Sequence, residues 1–139
     1  MADQNSLLAK WTPRLLSILR IVVALLFIEH GTQKLFNVPS GPPGMFPVPA
    51  LSLFGIAAVL EMVGGLFILL GLFTRPAAFI LAGEMAVGYF MMHAPNGFWP
   101  IMSGGNGGEL AVLFCFVFLY MAVAGGGLWS LDSQLRRER

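Results

Sequence analysis

The sequence predicts an all-α integral membrane protein that folds as an up-down-up-down four-helix bundle, with one domain over residues 1–139. Of its residues, 57% are hydrophobic and 11% are charged, and the mean hydropathy is +0.79. Soluble domains have about 25% charged residues, so this chain cannot cover a water-facing surface with polar side chains. Four apolar segments approach the length of about 20 residues that a membrane helix requires. The composition excludes a soluble enzyme, and the net charge of +1, without a basic patch, excludes a nucleic-acid partner.

The elements are delimited by ordinary start and stop signals. The first helix is predicted to follow Pro13, and a loop with five prolines separates it from the second. Thr74 is a candidate cap for the third helix, and Asn106 and Glu109 have the spacing of a capping box before the fourth. Glycines 125–127 are expected to loosen the end of the fourth helix. The predicted bounds are about 15–36, 51–73, 76–94 and 109–129 for the helices and 130–139 for a polar tail.

Lysine and arginine residues are distributed unevenly between the two ends of the helices. The loops 37–50 and 95–108 contain none, and only Lys34 lies near them. Because positive residues accumulate on the cytoplasmic side, both termini are predicted to be cytoplasmic in a bacterial inner membrane. The residues flanking the opposite ends are Lys10, Arg14, Arg75, Arg136, Arg137 and Arg139.

Each predicted helix contains one glutamate, which is costly in a membrane segment and is therefore a candidate functional residue. At about 1.5 Å per residue, Glu61 and Glu84 lie about 15 and 12 Å from the ends of their helices, near the middle of a bilayer core about 30 Å thick. The other polar residues lie nearer the outer surface. The predicted ligand-binding set, a polar track open to the outer side, is Glu29, His30, Lys34, Glu61, Glu84, His93 and Glu109.

Arg20 and His93 differ in position from the other polar residues of the apolar segments. Arg20 lies near the inner end of the first helix, away from the polar face of that helix. It is predicted to reach the inner headgroups or to form a structural ion pair with Asp132. His93 can share a cavity with Glu84 only if the third helix unwinds before Pro95.

Small residues in the apolar segments are predicted to have packing roles. Gly64 and Gly65 are expected to let neighbouring helices approach closely, and Gly83 and Gly88 are expected to do the same. Cys115 is the single cysteine, so the chain forms no intrachain disulfide. It is predicted to be a small apolar filler on its helix.

Three interpretations of the polar cluster remain open at this point. Buried pairs, for example Glu29 with Lys34, can hold the helices in register. Alternatively, His30, Glu61 and Glu84 can bind or protonate the oxygen atoms of a lipid-soluble molecule such as a quinone. The same three residues are candidate metal ligands, but the chain lacks the Glu-x-x-His motifs of di-iron bundles. A small transporter is disfavoured because four helices are few for alternating access and no internal repeat is evident.

A series of short motifs resembles the DoxX family of small bacterial membrane proteins. These motifs extend over residues 14–133, and Gly125-Gly126-Gly127 stands where relatives often have Gly-Pro-Gly. The matching motifs are Leu19-Arg20, His30-Gly31-Thr32-Gln33-Lys34-Leu35, Glu61-Met62-Val63-Gly64-Gly65, Leu70-Gly71-Leu72-Phe73-Thr74-Arg75-Pro76-Ala77-Ala78, Asn106-Gly107-Gly108-Glu109 and Ser130-Leu131-Asp132.

The resemblance implies a four-helix membrane protein that is associated with redox reactions. The family name comes from subunits similar to those of a thiosulfate:quinone oxidoreductase, and other members are linked to membrane or soluble redox partner proteins. The resemblance leaves open whether the chain is catalytic; if it is, it acts as an oxidoreductase component with partner proteins.

The predicted function is therefore a redox-associated accessory subunit that binds a quinone-like or other small apolar ligand in an outward-open polar pocket. The alternative is a non-catalytic scaffold or assembly subunit whose buried charges fix helix packing. The lipid bilayer is the expected partner in both cases, and a homo-oligomer is compatible with either.

Overall fold

The fold is entirely helical over the part of the chain that the structure, a computed structural model, describes. That part is residues 2–138, with side chains from residue 6 onward. Its helices are α1 (Ala2–Phe36), α2 (Leu53–Leu70), α3 (Thr74–Gly88), α4 (Glu109–Ala124) and α5 (Leu131–Arg137). A π-helical turn, Tyr89–His93, and a 3-10 turn, Ala94–Asn96, prolong α3. The predicted all-α membrane class is thus confirmed.

Three helical segments have the length and apolar composition to cross a membrane: Ser6–Phe36, Leu53–Leu70 and Thr74–Asn96. The fourth apolar helix, α4, has 16 residues. The loops 37–52 and 97–108 connect the helices at one end of the bundle, which we call the loop end. The turn 71–73 and the segment 125–130 lie at the opposite end, which we call the clamp end.

Two predicted helix bounds are wrong, and each has a local physical reason. The first helix begins at Ala2 rather than near residue 15, with Pro13 inside it. A proline inside a helix removes one backbone hydrogen bond, and the residues just before it are exposed, where water can solvate the freed carbonyl. The fourth helix ends at Ala124 rather than near 129, because Gly125 has a φ of 86°, a value that ends a right-handed helix.

The core lies between two helix pairs, α1 with α2 and α3 with α4. Phe27 on α1 connects the pairs, since its ring centroid lies 5.2 Å from that of Phe114 and 4.8 Å from that of Phe118, both on α4. Leu81 and Met121 are fully buried beside them. Outside this core the helices expose large apolar side chains over most of their surface, as expected for a lipid-facing surface.

Glycines allow the close approach of α2 to its neighbours. A Cβ atom at Gly64 would lie 2.6 Å from Leu81 Cδ2, and one at Gly65 would lie 2.7 Å from Ile28 Cγ1. The predicted packing role of these two glycines is confirmed. The same prediction is wrong for Gly83 and Gly88, because a Cβ atom there would meet no neighbouring atom within 4 Å.

This contrast predicts opposite outcomes for two glycine-to-alanine substitutions. At Gly31 a Cβ atom would lie 2.7 Å from the Ala58 carbonyl oxygen and 2.6 Å from Met62 Cγ, so Gly31→Ala forces α1 away from α2. We expect a loss of about 1–3 kcal/mol in the free energy of unfolding. Gly83→Ala is the matched control and is expected to gain up to about 1 kcal/mol through helix propensity. Thermal unfolding in detergent measures both, and equal stabilities would contradict the packing assignment.

Candidate functional site

An ion pair between α1 and α2 forms the centre of the candidate site. Lys34, in the last turn of α1, donates from Nζ to Glu61 Oε1 at 2.5 Å. Glu61 is 2% exposed and Lys34 lies near the loop end, so the lysine side chain extends inward to reach the carboxylate. The buried-pair interpretation of the sequence named Glu29 as the partner of Lys34, whereas the structure gives that role to Glu61.

Three carboxylate oxygen atoms near this ion pair are buried without a hydrogen-bond partner among the described residues. One is Glu61 Oε2, and the other two belong to Glu84 on α3. Glu84 is close enough to Glu61 and Lys34 to interact with both charges. Buried polar atoms normally have a partner, because leaving them unpaired costs free energy. The site therefore has unused hydrogen-bonding capacity at its most buried point.

His30 connects these carboxylates to a surface cavity. The cavity has a volume of about 340 Å³ and opens between α1 and α4; its lining residues are Leu26, Glu29, His30, Gln33, Leu110 and Phe114. His30 Nδ1 lies 2.7 Å from the Leu26 carbonyl oxygen, and its ring is 5.7 Å from that of Phe114 in an edge-to-face arrangement. The imidazole also interacts electrostatically with Glu61. It therefore lies between the open cavity and the buried acids.

Two members of the predicted set lie at the surface. Glu29 is exposed on the wall of the cavity, and Glu109 is exposed in the first turn of α4. Neither carboxylate is buried within the protein, and neither has a buried oxygen atom without a hydrogen-bond partner. The structure thus brings together His30, Lys34, Glu61 and Glu84 but places Glu109 apart.

His93 belongs to a different structure, the network that orders the loop 97–108. Its Nδ1 lies 3.0 Å from the carbonyl oxygen of Asn106, and its ring stacks on Tyr89. Asn106 is buried, donates from Nδ2 to Tyr89 OH and the Gly97 carbonyl, and accepts at Oδ1 from Gly108 N–H. Asn106 therefore organises the loop instead of forming the predicted capping box with Glu109.

Arg20 is the most densely bonded polar side chain at the clamp end. Arg20 is 1% exposed, so its side chain does not reach the inner headgroups. One of the two predictions for Arg20 is therefore wrong. Its guanidinium donates to the carbonyl oxygens of Ile68 at 2.6 Å, Gly126 at 2.8 Å and Trp129 at 2.9 Å, and also to that of Leu69. One side chain of α1 thereby joins the end of α2 to the segment that follows α4.

Asp132 joins the same region to α3. Its carboxylate accepts hydrogen bonds from the backbone N–H groups of Phe73 and Thr74, both at 2.8 Å. These bonds cap the helix from a distant part of the chain, so Thr74 does not act as the predicted side-chain cap. Among the described side chains no salt bridge joins Arg20 to Asp132, and the predicted ion pair is replaced by two sets of bonds to the backbone.

The described residues contain no group of three or more histidine, cysteine, aspartate or glutamate side chains placed to hold a metal ion. Glu61, Glu84 and His30, the three candidate ligands from the sequence, lie in one region but do not form such a group. The unpartnered oxygen atoms of Glu61 and Glu84 are available for hydrogen bonding.

More than half of the chain matches a known protein family. The sequence model of the DoxX family matches residues 15–94, which include Arg20, Lys34, Glu61 and Glu84. This chain belongs to the DoxX family. The membership agrees with the resemblance in the sequence motifs and with the helical membrane fold.

Similar chains occur in several bacteria. An uncharacterized protein of Haemophilus influenzae is 45% identical over 130 residues, covering 91% of this chain and 95% of the relative. An uncharacterized membrane protein of Mycobacterium tuberculosis is 32% identical, with 99% and 95% covered. The inner membrane protein YphA of Escherichia coli is 32% identical, with 86% and 89% covered. No solved structure matches the chain. This DoxX protein is thus a multi-pass protein of the bacterial inner membrane.

Proposed function

We propose that this DoxX protein binds a small lipid-soluble molecule with a polar headgroup, of the quinone and hydroquinone class, at Glu61 and Glu84. The observation that carries the proposal is the set of three buried carboxylate oxygens that the described protein leaves unpartnered. A ligand headgroup placed among them would supply the missing hydrogen bonds. Lys34 is paired with Glu61, and His30, which interacts with Glu61, lines the cavity between α1 and α4.

Under this proposal the protein is an accessory subunit that holds the ligand for redox partner proteins. Burial of the headgroup between helices excludes water, and the apolar helix surfaces admit a lipid-soluble molecule directly from the bilayer. Support for the redox association comes from the family resemblance. With the termini cytoplasmic, as the positive residues predict, the cavity would open toward the outer side of the membrane.

A scaffold function is the second candidate, and the Lys34–Glu61 pair favours it. A buried ion pair between two helices fixes their register whether or not a ligand binds. The scaffold function gives no role to Glu84, whose carboxylate has no partner among the described residues. Glu84 is therefore the residue at which the two functions make different predictions.

The variant Glu84→Leu tests the proposal. It removes two unpartnered buried oxygens without breaking the Lys34–Glu61 pair, so we expect equal or greater thermal stability. We expect native mass spectrometry to show loss of a bound short-tailed benzoquinone, supplied as a mixture of its oxidised and reduced forms. Glu109→Leu, at an exposed glutamate, is the matched control and should retain the ligand.

Retention of the ligand by Glu84→Leu at the wild-type level would overturn the proposal, as would a wild-type protein that retains none. Glu61→Gln should also lose the ligand. Because that variant also removes the charge partner of Lys34, its thermal stability has to be measured beside its binding.

A further inference from the structure

The free atoms of the site are almost all hydrogen-bond acceptors. Glu61 Oε2 and both oxygens of Glu84 accept hydrogen bonds as carboxylates. His30 adds a fourth acceptor for a geometric reason. Its Nδ1 lies 2.7 Å from the Leu26 carbonyl oxygen, which can only accept, so the ring proton resides on Nδ1. In the neutral ring, Nε2 then presents a lone pair.

The donor capacity of the site is smaller. Lys34 carries three N–H groups, and one of them is directed at Glu61 Oε1 at 2.5 Å. A proton on one of the two acids would turn one acceptor into a donor and leave three of each, so the surplus of acceptors belongs to the state with both acids ionised. In that state the site complements a headgroup that donates hydrogen bonds.

The two redox forms of a quinone differ in this property. A quinone headgroup has two carbonyl oxygens, which only accept, whereas a hydroquinone has two hydroxyl groups, which donate and also accept. At this site a quinone carbonyl could accept from Lys34, but neither carbonyl could donate to the free carboxylate oxygens. Both hydroxyl groups of the hydroquinone could donate to the carboxylates.

We propose that the Glu61–Glu84 site selects the reduced, hydroxyl-bearing form of its ligand over the oxidised form. This inference rests on the proposed function and deepens it by naming the form that binds. A hydrogen bond to a charged group gives a preference on the order of tenfold to a hundredfold. A tenfold preference would raise the midpoint potential of the bound two-electron couple by about 30 mV.

Three probes of one shape test the selection: a short-tailed hydroquinone, its quinone and the dimethyl ether of the hydroquinone. Titration calorimetry of the wild-type protein in detergent, under anaerobic conditions, measures their affinities. We expect the hydroquinone to bind at least about tenfold more tightly than the other two. The dimethyl ether is the control for shape, because it has the same ring and oxygen atoms but no hydroxyl donor.

The outcomes separate this inference from the proposed function. Failure of all three probes to bind would overturn both. Equal binding of quinone and hydroquinone would overturn the selection alone and leave the binding site standing. Equal binding of the dimethyl ether and the hydroquinone would also overturn the selection, because it would show that the hydroxyl donors contribute nothing.

The variant Glu84→Gln gives an independent readout. An amide of the same shape replaces one acceptor oxygen by an NH₂ donor, so the preference for the reduced form should fall by about tenfold. The ratio of the two affinities is the measured quantity, and a loss of overall stability does not mimic a change in that ratio. An unchanged ratio would overturn the assignment of Glu84 as the selecting residue, and Glu109→Gln is the matched control.

Discussion

Replacing Arg20 by methionine is expected to destabilise the protein by about 3 kcal/mol or more, since each hydrogen bond from a charged group contributes about 1.5–3 kcal/mol. The substitution keeps an unbranched side chain of similar width but removes the donors to four carbonyl oxygens. The Ile68 oxygen keeps its bond from Gly71 N–H, whereas the oxygens of Leu69, Gly126 and Trp129 lose the donor that Arg20 provides. Thermal or denaturant-induced unfolding in detergent, followed by circular dichroism, measures the loss.

Two further variants show whether this effect comes from the geometry of the guanidinium group. Arg20→Lys retains the charge, but a single ammonium cannot reach carbonyls on two separate segments, so it should recover only part of the stability. Arg14→Met, on the same helix, removes only local contacts, a bond to the Lys10 carbonyl and a cation–π contact with Trp11, and should change stability by about 1 kcal/mol or less. An Arg20→Met protein that unfolds at the wild-type temperature would contradict the role of Arg20.

Replacing Lys34 by methionine should also cost about 3 kcal/mol, the lower end of the range for breaking a buried ion pair, because Lys34 is 23% exposed. The variant leaves the Glu61 and Glu84 carboxylates without a neighbouring cation. Adding Glu61→Leu to Lys34→Met should restore most of the stability, since apolar groups often replace a buried ion pair without loss. Thermal unfolding of the two single variants and the double variant gives the coupling energy.

The same double variant separates the two candidate functions. Its helices are expected to pack normally, but it lacks Glu61 and Lys34, so it should not bind the short-tailed benzoquinone supplied as a mixture of its oxidised and reduced forms. A double variant that binds the probe as the wild type does would place the ligand elsewhere. If neither single variant changes stability, the Lys34–Glu61 pair has no structural role; Lys10→Met, at an exposed position, is the control.

The sequence was sufficient to predict the fold class and the group of polar residues in its membrane segments. Hydropathy and length determine the helices, and the cost of a buried charge singles out Glu61 and Glu84. Lys34 was included in the predicted set, but its partner was assigned wrongly. Helical phase places residues on a face of their own helix, whereas pairing across helices depends on the contact geometry of α1 and α2.

The roles of Arg20, Asp132 and Asn106 could not be predicted, because nearly all of their partners are backbone groups. A carbonyl or N–H group has no signature in the sequence, so Arg20 was assigned a headgroup or a carboxylate instead. The detectable signal was an arginine inside an apolar segment. The helix bounds at Pro13 and Gly125 failed for a related reason, since tertiary contacts and local φ values decide where a helix ends.

The 16 residues of α4 have a further consequence for the membrane around the protein. At about 1.5 Å per residue this helix is about 24 Å long, which is shorter than a hydrocarbon core of about 30 Å. A helix of this length can be accommodated by a locally thinned bilayer or by non-helical backbone at hydrocarbon depth beside α4. Such backbone is stable there only when its polar groups are paired internally. Arg20 and Asn106 pair backbone groups of this kind at the two ends of α4. The bilayer thickness that the protein tolerates therefore depends on these two side chains.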